Sequence, residues 1–182
     1  MQQEAVIELA RLESIFSEYE LRFDHQEATD SPDGLYQIMA KFYNFTRRPD
    51  NYPGHVSEYE FIRNSDQKTL LKLKSATWCI QGTWASENGS QYFICNLIGF
   101  DCTQTSINLS TQTVNHHFLE TEGYIWDRFY LSPNQSKVAV LCFDVGQTYG
   151  IGVYLLEDVH ALPLKEVYSH MGMLDKMPIF LQ

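Results

Sequence analysis

The chain has 182 residues, 44% hydrophobic and 14% aromatic, which is enough apolar material for a core that needs no disulfide or metal staple. Its 13 Lys+Arg against 23 Asp+Glu leave a net charge of -10. That charge opposes phosphate backbones and anionic lipid, so nucleic acid and membrane surfaces are excluded as expected partners and a basic protein is favoured.

Residues 1 to 66 carry 13 acidic and 6 basic side chains, and the remainder 10 and 7, so most of the surplus negative charge is N-terminal. Over residues 4 to 23, Val6, Leu9, Leu12 or Glu13, and Phe16 recur three to four apart, with Ile15 and Tyr19 beside them, which predicts an amphipathic helix. From Tyr19 to Asp24 the pattern alternates instead, so either the helix continues or it stops near Glu18 and a short strand follows. His25 to Asp30 reads as a polar linker. Ser31-Pro32-Asp33 then has the chemistry of a helix start, with Leu35, Ile38, Met39, Phe42 and Phe45 as the buried stripe of a second helix. Arg47-Arg48-Pro49 stops it, and a loop runs through Asp50 to Gly54.

From Val56 the period changes to two. Tyr59-Glu60-Phe61, the turn Asn64-Ser65-Asp66 and Leu71 to Lys74 predict a hairpin with one wet face. Strands are expected over 77–85, 91–98, 105–109, 114–119, 125–131, 137–143 and 149–156, joined by turns such as Asn88-Gly89, Ser132-Pro133-Asn134 and Asp144-Val145-Gly146. The expected fold is therefore α+β: one domain with a helical segment over 1–54, an antiparallel meander of about seven to nine strands over 55–168, and a tail over 169–182. In that tail the methionines and the run Pro178 to Leu181 suit either core packing or contact with a partner.

Two stretches look like copies of each other. Trp84 leads through Ser86 to Ser90 into an apolar strand, and Trp126 leads through Ser132 to Ser136 into another. On these residues, about positions 68 to 168 resemble the blade-type repeats of β-propeller proteins. The resemblance implies two blade-like units and no closed propeller, which takes at least about four blades. The two helices would cover one face of the sheet, or the chain would self-associate. No active site is carried over from the resemblance.

Asp144, Gly146 and Thr148 resemble the D-x-G-x-T phosphate loop of sugar kinases, but those need a larger two-lobed chain, and a hairpin turn is the simpler expectation. His116 and His117 with Glu120 and Glu122 offer imidazole beside carboxylate, although neighbouring strand residues face opposite sides. Trp126-Asp127-Arg128 suits a cross-strand ion pair anchored by an indole. Cys79, Cys95, Cys102 and Cys142 lack Cys-x-x-Cys spacing, which points to a reducing, cytoplasmic compartment without zinc. Met1-Gln2-Gln3-Glu4 lacks the positive start of a secretory signal. No catalytic, cofactor-binding or metal-binding residue is assigned.

Three functional expectations follow. The first is a non-enzymatic protein that binds or inhibits a basic partner, a toxin among the candidates, because its short, acidic, motif-free character is similar to that of immunity proteins. Its expected contact residues are Glu13, Glu18, Glu20, Asp24, Asp30, Asp33, Glu58, Glu60, Tyr52 and Tyr59, with Tyr36 and Tyr43 as further aromatics that look exposed. The second is a small enzyme or ligand binder using His116 or His117, Glu120, Asp127 and Arg128. The third is a structural homo-oligomer subunit, so both monomer and homodimer stay open.

Overall fold

A computed structural model of the chain describes residues 2–47, 55–96, 103–118, 125–143, 149–159 and 162–171. Among them the chain forms one helix, α1 (Gln2–Glu18), and twelve strands in three four-stranded antiparallel sheets, each built from strands consecutive in sequence. This overturns the expected two helices on a seven-to-nine-strand meander. The chain divides into two compact units, one within Met1–Ile80 together with Leu97–Phe100, the other comprising Gln81–Asn96 and Asp101–Gln182.

The first unit holds α1 and sheet A, of β1 (Leu21–Asp30), β2 (Tyr36–Phe45), β3 (His55–Arg63) and β4 (Lys68–Ser75). The helix buries Leu12 and Ile15 and ends at Glu18. Its last turn carries no basic side chain to offset the negative helix end, and the alternation after Tyr19 takes over as β1. The polar linker expected over 25–30 is the second half of that strand.

The expected second helix is β2. Its period-two set Ile38, Ala40 and Phe42 is at most 2% exposed, whereas Leu35, at the head of the helical stripe, is 56% exposed. The capping cue at Ser31 is real but serves a hairpin. Ser31 Oγ donates to Asp33 Oδ1 (2.6 Å) and accepts from the Tyr36 amide (2.9 Å), while Gly34, at φ 69°, closes the turn onto the Ser31 carbonyl. A serine oxygen that takes up a free amide at a helix start does the same at a turn, so the residue types alone leave the two undecided.

The second unit holds sheet B, of β5 (Gly82–Glu87), β6 (Ser90–Cys95), β7 (Thr103–Asn108) and β8 (Thr113–Phe118), and sheet C, of β9 (Ile125–Leu131), β10 (Lys137–Phe143), β11 (Tyr149–Leu155) and β12 (Glu166–Met171). The two look-alike stretches are the first hairpins of these sheets, β5–β6 and β9–β10. Asn88 and Gly89, at φ 50° and 77°, make the tight turn that Asn-Gly favours. Ser132 repeats the Ser31 arrangement: its Oγ donates to Asn134 Oδ1 (2.8 Å) and accepts from the Lys137 amide (3.0 Å).

Ala85, Tyr92 and Ile94 of sheet B share one core with Trp126, Val138, Val140, Cys142 and Tyr154 of sheet C, closed by Leu156, Val159 and Leu164. Trp84 packs instead on Phe93, ring centroids 5.3 Å apart, on the other face of sheet B. Cys95 and Cys142 are free, buried thiols; burial pushes both up, Cys142 to about 11, so they act as small apolar side chains. No helix among the described residues is long and apolar enough to cross a membrane.

Candidate functional site

One end of sheet A gathers imidazoles, carboxylates and aromatic rings. A bulge at Asp24 shifts the β1–β2 register between Phe23, opposite Tyr43, and His25, opposite Phe42, so these neighbours serve opposite faces of the sheet. On the α1 side, Phe16 and Phe23 meet the Tyr43 ring edge-on at 5.8 and 6.1 Å, and Tyr19 meets Phe45 at 5.8 Å. Phe23 remains 54% exposed.

On the opposite side, His25 stacks on Phe42 with centroids 4.6 Å apart. Its Nδ1 lies 2.9 Å from Asp24 Oδ2 and its Nε2 3.7 Å from Glu27 Oε1. His55 Nδ1 lies 2.7 Å from Asn44 Oδ1, and its ring stacks on Trp78 at 6.3 Å. The hydrogen bond to His25 holds the Asp24 carboxyl below its ordinary range, with the charges of His55 and Arg22 helping.

Trp78 lies on the segment that leaves β4, and that segment is pinned at three points. Thr77 Oγ1 lies 3.2 Å from Ser57 Oγ, 2.8 Å from Tyr59 Oη and 3.1 Å from Ser75 Oγ, all within the buried side of the sheet. Tyr59 donates to the Cys79 carbonyl at 2.9 Å, and the Ile80 amide donates to Glu27 Oε2 at 3.0 Å.

The ten expected contact residues do not form one patch. Glu18, Glu20 and Asp24 are exposed and fall at the α1–β1 junction, beside the aromatic end. Glu60 is paired with Lys72 (2.8 Å) and Lys41 (3.2 Å), which hold its carboxyl below the ordinary value. Glu13 pairs with Lys74, and Glu58 lies across from Lys74 in the β3–β4 ladder. Acids and lysines therefore alternate on that face. Asp30 accepts from Gln37 (3.1 Å) and Asp33 is used by the hairpin turn at the far end of the sheet. Tyr59 is 1% exposed, which corrects its reading as a surface aromatic, and Tyr36 and Tyr43 are half-buried. Tyr52 lies outside the described residues.

The alternative constellation is only partly described. His116 and His117 occupy adjacent positions of β8, opposite Thr105 and Gln104, and so take opposite faces. His116 Nδ1 lies 2.9 Å from Thr105 Oγ1, and burial lowers its pKa. Arg128 is exposed on β9. Glu120 and Glu122, the Asp127 side chain, the D-x-G-x-T loop and the chain beyond Met171 lie outside the described residues. Among the described residues no group of three His, Cys, Asp or Glu side chains is placed to hold a metal ion.

Sequence reasoning missed His25, Asn44, His55 and Trp78. Trp78 was hidden because Ala76, Trp78 and Ile80 alternate as a strand would, and a strand was expected over 77–85; in the structure β5 begins only at Gly82 and Trp78 lies on the segment before it.

No protein-family model matches the chain, and no curated protein matches it. Among solved structures it is similar to Kuenenia stuttgartiensis hydrazine synthase, with a TM-score of 0.48 and 11% identity over 79% of this chain and 48% of that one. The chain thus spans about half the length of the hydrazine synthase chain it matches, and the likeness names neither a family nor an activity for it.

Proposed function

We propose that this protein is a non-enzymatic, protein-binding module whose acidic surface takes a basic protein partner, acting by occupying the partner's surface as an inhibitor of a basic enzyme or toxin would. The observation that carries this reading is the pairing of a net charge of -10 with large apolar side chains left in water at one end of sheet A, Phe23 at 54% on the α1 side and Trp78 at 60% on the opposite side, where Glu20 and Asp24 are also exposed. Aromatic anchors ringed by charge are what protein interfaces use for affinity and for fast, selective encounter. Capture with the tagged full chain from its native cell, then reconstitution from purified components, tests it. A stoichiometric complex that weakens as salt rises is expected. The absence of a stoichiometric partner, or binding indifferent to ionic strength, defeats the reading.

A second reading is self-association through β12, an edge strand of sheet C on which Val167 and Tyr168 are 46% and 40% exposed. Light scattering on the purified chain distinguishes it. A concentration-independent monomer mass removes it.

A further inference from the structure

Trp78 is the tryptophan this fold leaves in water. It is 60% exposed, whereas Trp84 and Trp126 are 7% and 2% exposed. An indole is among the largest apolar side chains, and a fold gains by burying one. Here the chain on either side is instead fixed so that the ring points outward. Thr77 is 3% exposed and its hydroxyl meets Ser57, Tyr59 and Ser75, the Cys79 carbonyl is held by Tyr59, and the Ile80 amide is held by Glu27. A ring presented on a pinned segment loses little freedom when a partner covers it, and that is the condition for an efficient anchor.

The surroundings select the chemistry of what covers it. One neighbour of the indole is the His55 ring at 6.3 Å. The carboxylates of Asp24 and Glu27 bracket His25, and Asp24 feels the charge of His55, so both imidazoles and both acids belong to one cluster. Arg22 is the competing cation on the same strand, and it too helps hold the Asp24 carboxyl charged. Glu27 holds the amide two residues after the indole, and Asp24 is joined to Glu27 through His25. Two carboxylates in the cluster that carries an exposed aromatic ring disfavour an anion and suit a cation that is flat and weakly hydrated. A guanidinium fits: it stacks on indole and takes carboxylates through its planar fork, which a compact lysine ammonium does less well. The geometry points to this end of sheet A as the docking point for an arginine side chain of the partner, laid on Trp78 with Asp24 and Glu27 supplying the negative field. This rests on the protein-binding reading above.

The test uses the full chain with an oligo-arginine peptide and an oligo-lysine peptide of equal length, followed by tryptophan fluorescence and calorimetry. Because the other two tryptophans are buried, quenching on binding reports Trp78. Oligo-arginine is expected to quench and to bind more tightly than oligo-lysine. Trp78→Leu should bind it about tenfold more weakly with unchanged melting, and Asp66→Asn, in the β3–β4 turn, within about twofold of the wild type. Equal affinity of wild type and Trp78→Leu for oligo-arginine, or equal affinity of the wild type for the two peptides, overturns the inference. With the captured partner, unchanged affinity of Trp78→Leu overturns the docking point and leaves the acidic-surface reading standing. Failure of the wild type to hold any partner removes both.

Discussion

At the scale of single residues, the first unit depends on hydroxyl groups hidden behind sheet A. Tyr59 is buried, yet its phenol reaches Thr77 and the Cys79 carbonyl. Tyr59→Phe keeps the ring and leaves that carbonyl short of a donor, so unfolding in denaturant should show a loss of about 1–2 kcal/mol. Charge at the surface behaves differently. Arg63 grips Asp66 through two contacts, at 3.0 and 2.7 Å, and holds its pKa down to about 2 from an ordinary 3.8. A carboxyl depressed in the folded state stabilises above the unfolded value, and that contribution is lost as pH falls from 3.8 towards 2. An NMR titration should find Asp66 protonating near 2 in the wild type and at a higher pH in Arg63→Gln, still below 3.8 because the Lys68 amide continues to donate to the carboxylate. His116 has the opposite chemistry. Burial lowers its pKa from 6.5, so the unfolded chain takes the proton first, and stability falls as pH drops below 6.5. Replacing it with Asn, which cannot take that proton, should flatten the loss of stability between neutral and mildly acid pH.

At the scale of elements, one turn design recurs. Ser31 and Ser132 each receive an amide at the start of the following strand and each donate to the Asx oxygen two residues on. The next rung matches as well: the Asn64 amide donates to the Leu35 carbonyl and the Leu156 amide to the Ser136 carbonyl, at 2.9 Å in both cases. Ser31→Ala and Ser132→Ala should therefore cost similar amounts, about 1–2 kcal/mol, measured by chemical denaturation. Gly82 is fixed by packing: a Cβ there would meet the buried Phe93 ring at 2.3 Å and the Ile94 carbonyl at 2.7 Å. Gly82→Ala should destabilise by about 1–3 kcal/mol.

This recurrence also explains what could be read in advance. Strands β3 to β11 show in alternating or continuous apolar runs, though β5 starts at Gly82 and not at 77, and the Asn88-Gly89 turn declares its geometry in its residues. Strand β12 is not among the expected strands, and its last residues fall in what was expected to be a tail. Residues 31–45 mislead because Ser-Pro-Asp opens helices and hairpins alike, and because Ile38, Met39 and Phe42 fit a spacing of three to four while Ile38, Ala40 and Phe42 fit a spacing of two. Only the sheet, through the pairing of β2 with both β1 and β3, decides between them. The candidate site was hidden for a related reason. His25, His55 and Trp78 lie far apart in sequence, and the ladder that brings the first two to either side of Phe42 and Asn44 is invisible to a local pattern.

At the scale of the whole molecule, twelve strands and one helix among the described residues predict a far-ultraviolet circular dichroism spectrum dominated by β-sheet, without the strong helical double minimum that two long helices would give. The same residues carry a charge pattern with two textures. Along the middle of sheet A, acids are matched by Lys41, Lys72 and Lys74, and such surface pairs add solubility and little binding energy. At the end of the sheet Glu18, Glu20 and Asp24 are exposed, with Phe23 in water on the α1 side and Trp78 on the opposite side. That contrast is why contact is assigned to the end of the sheet. Amide hydrogen exchange of the full chain, free and saturated with its captured partner, tests the assignment most directly. New protection is expected at residues 19–27, 43–46, 55–57 and 76–80. Protection confined to sheets B and C, with those segments unchanged, would contradict the account.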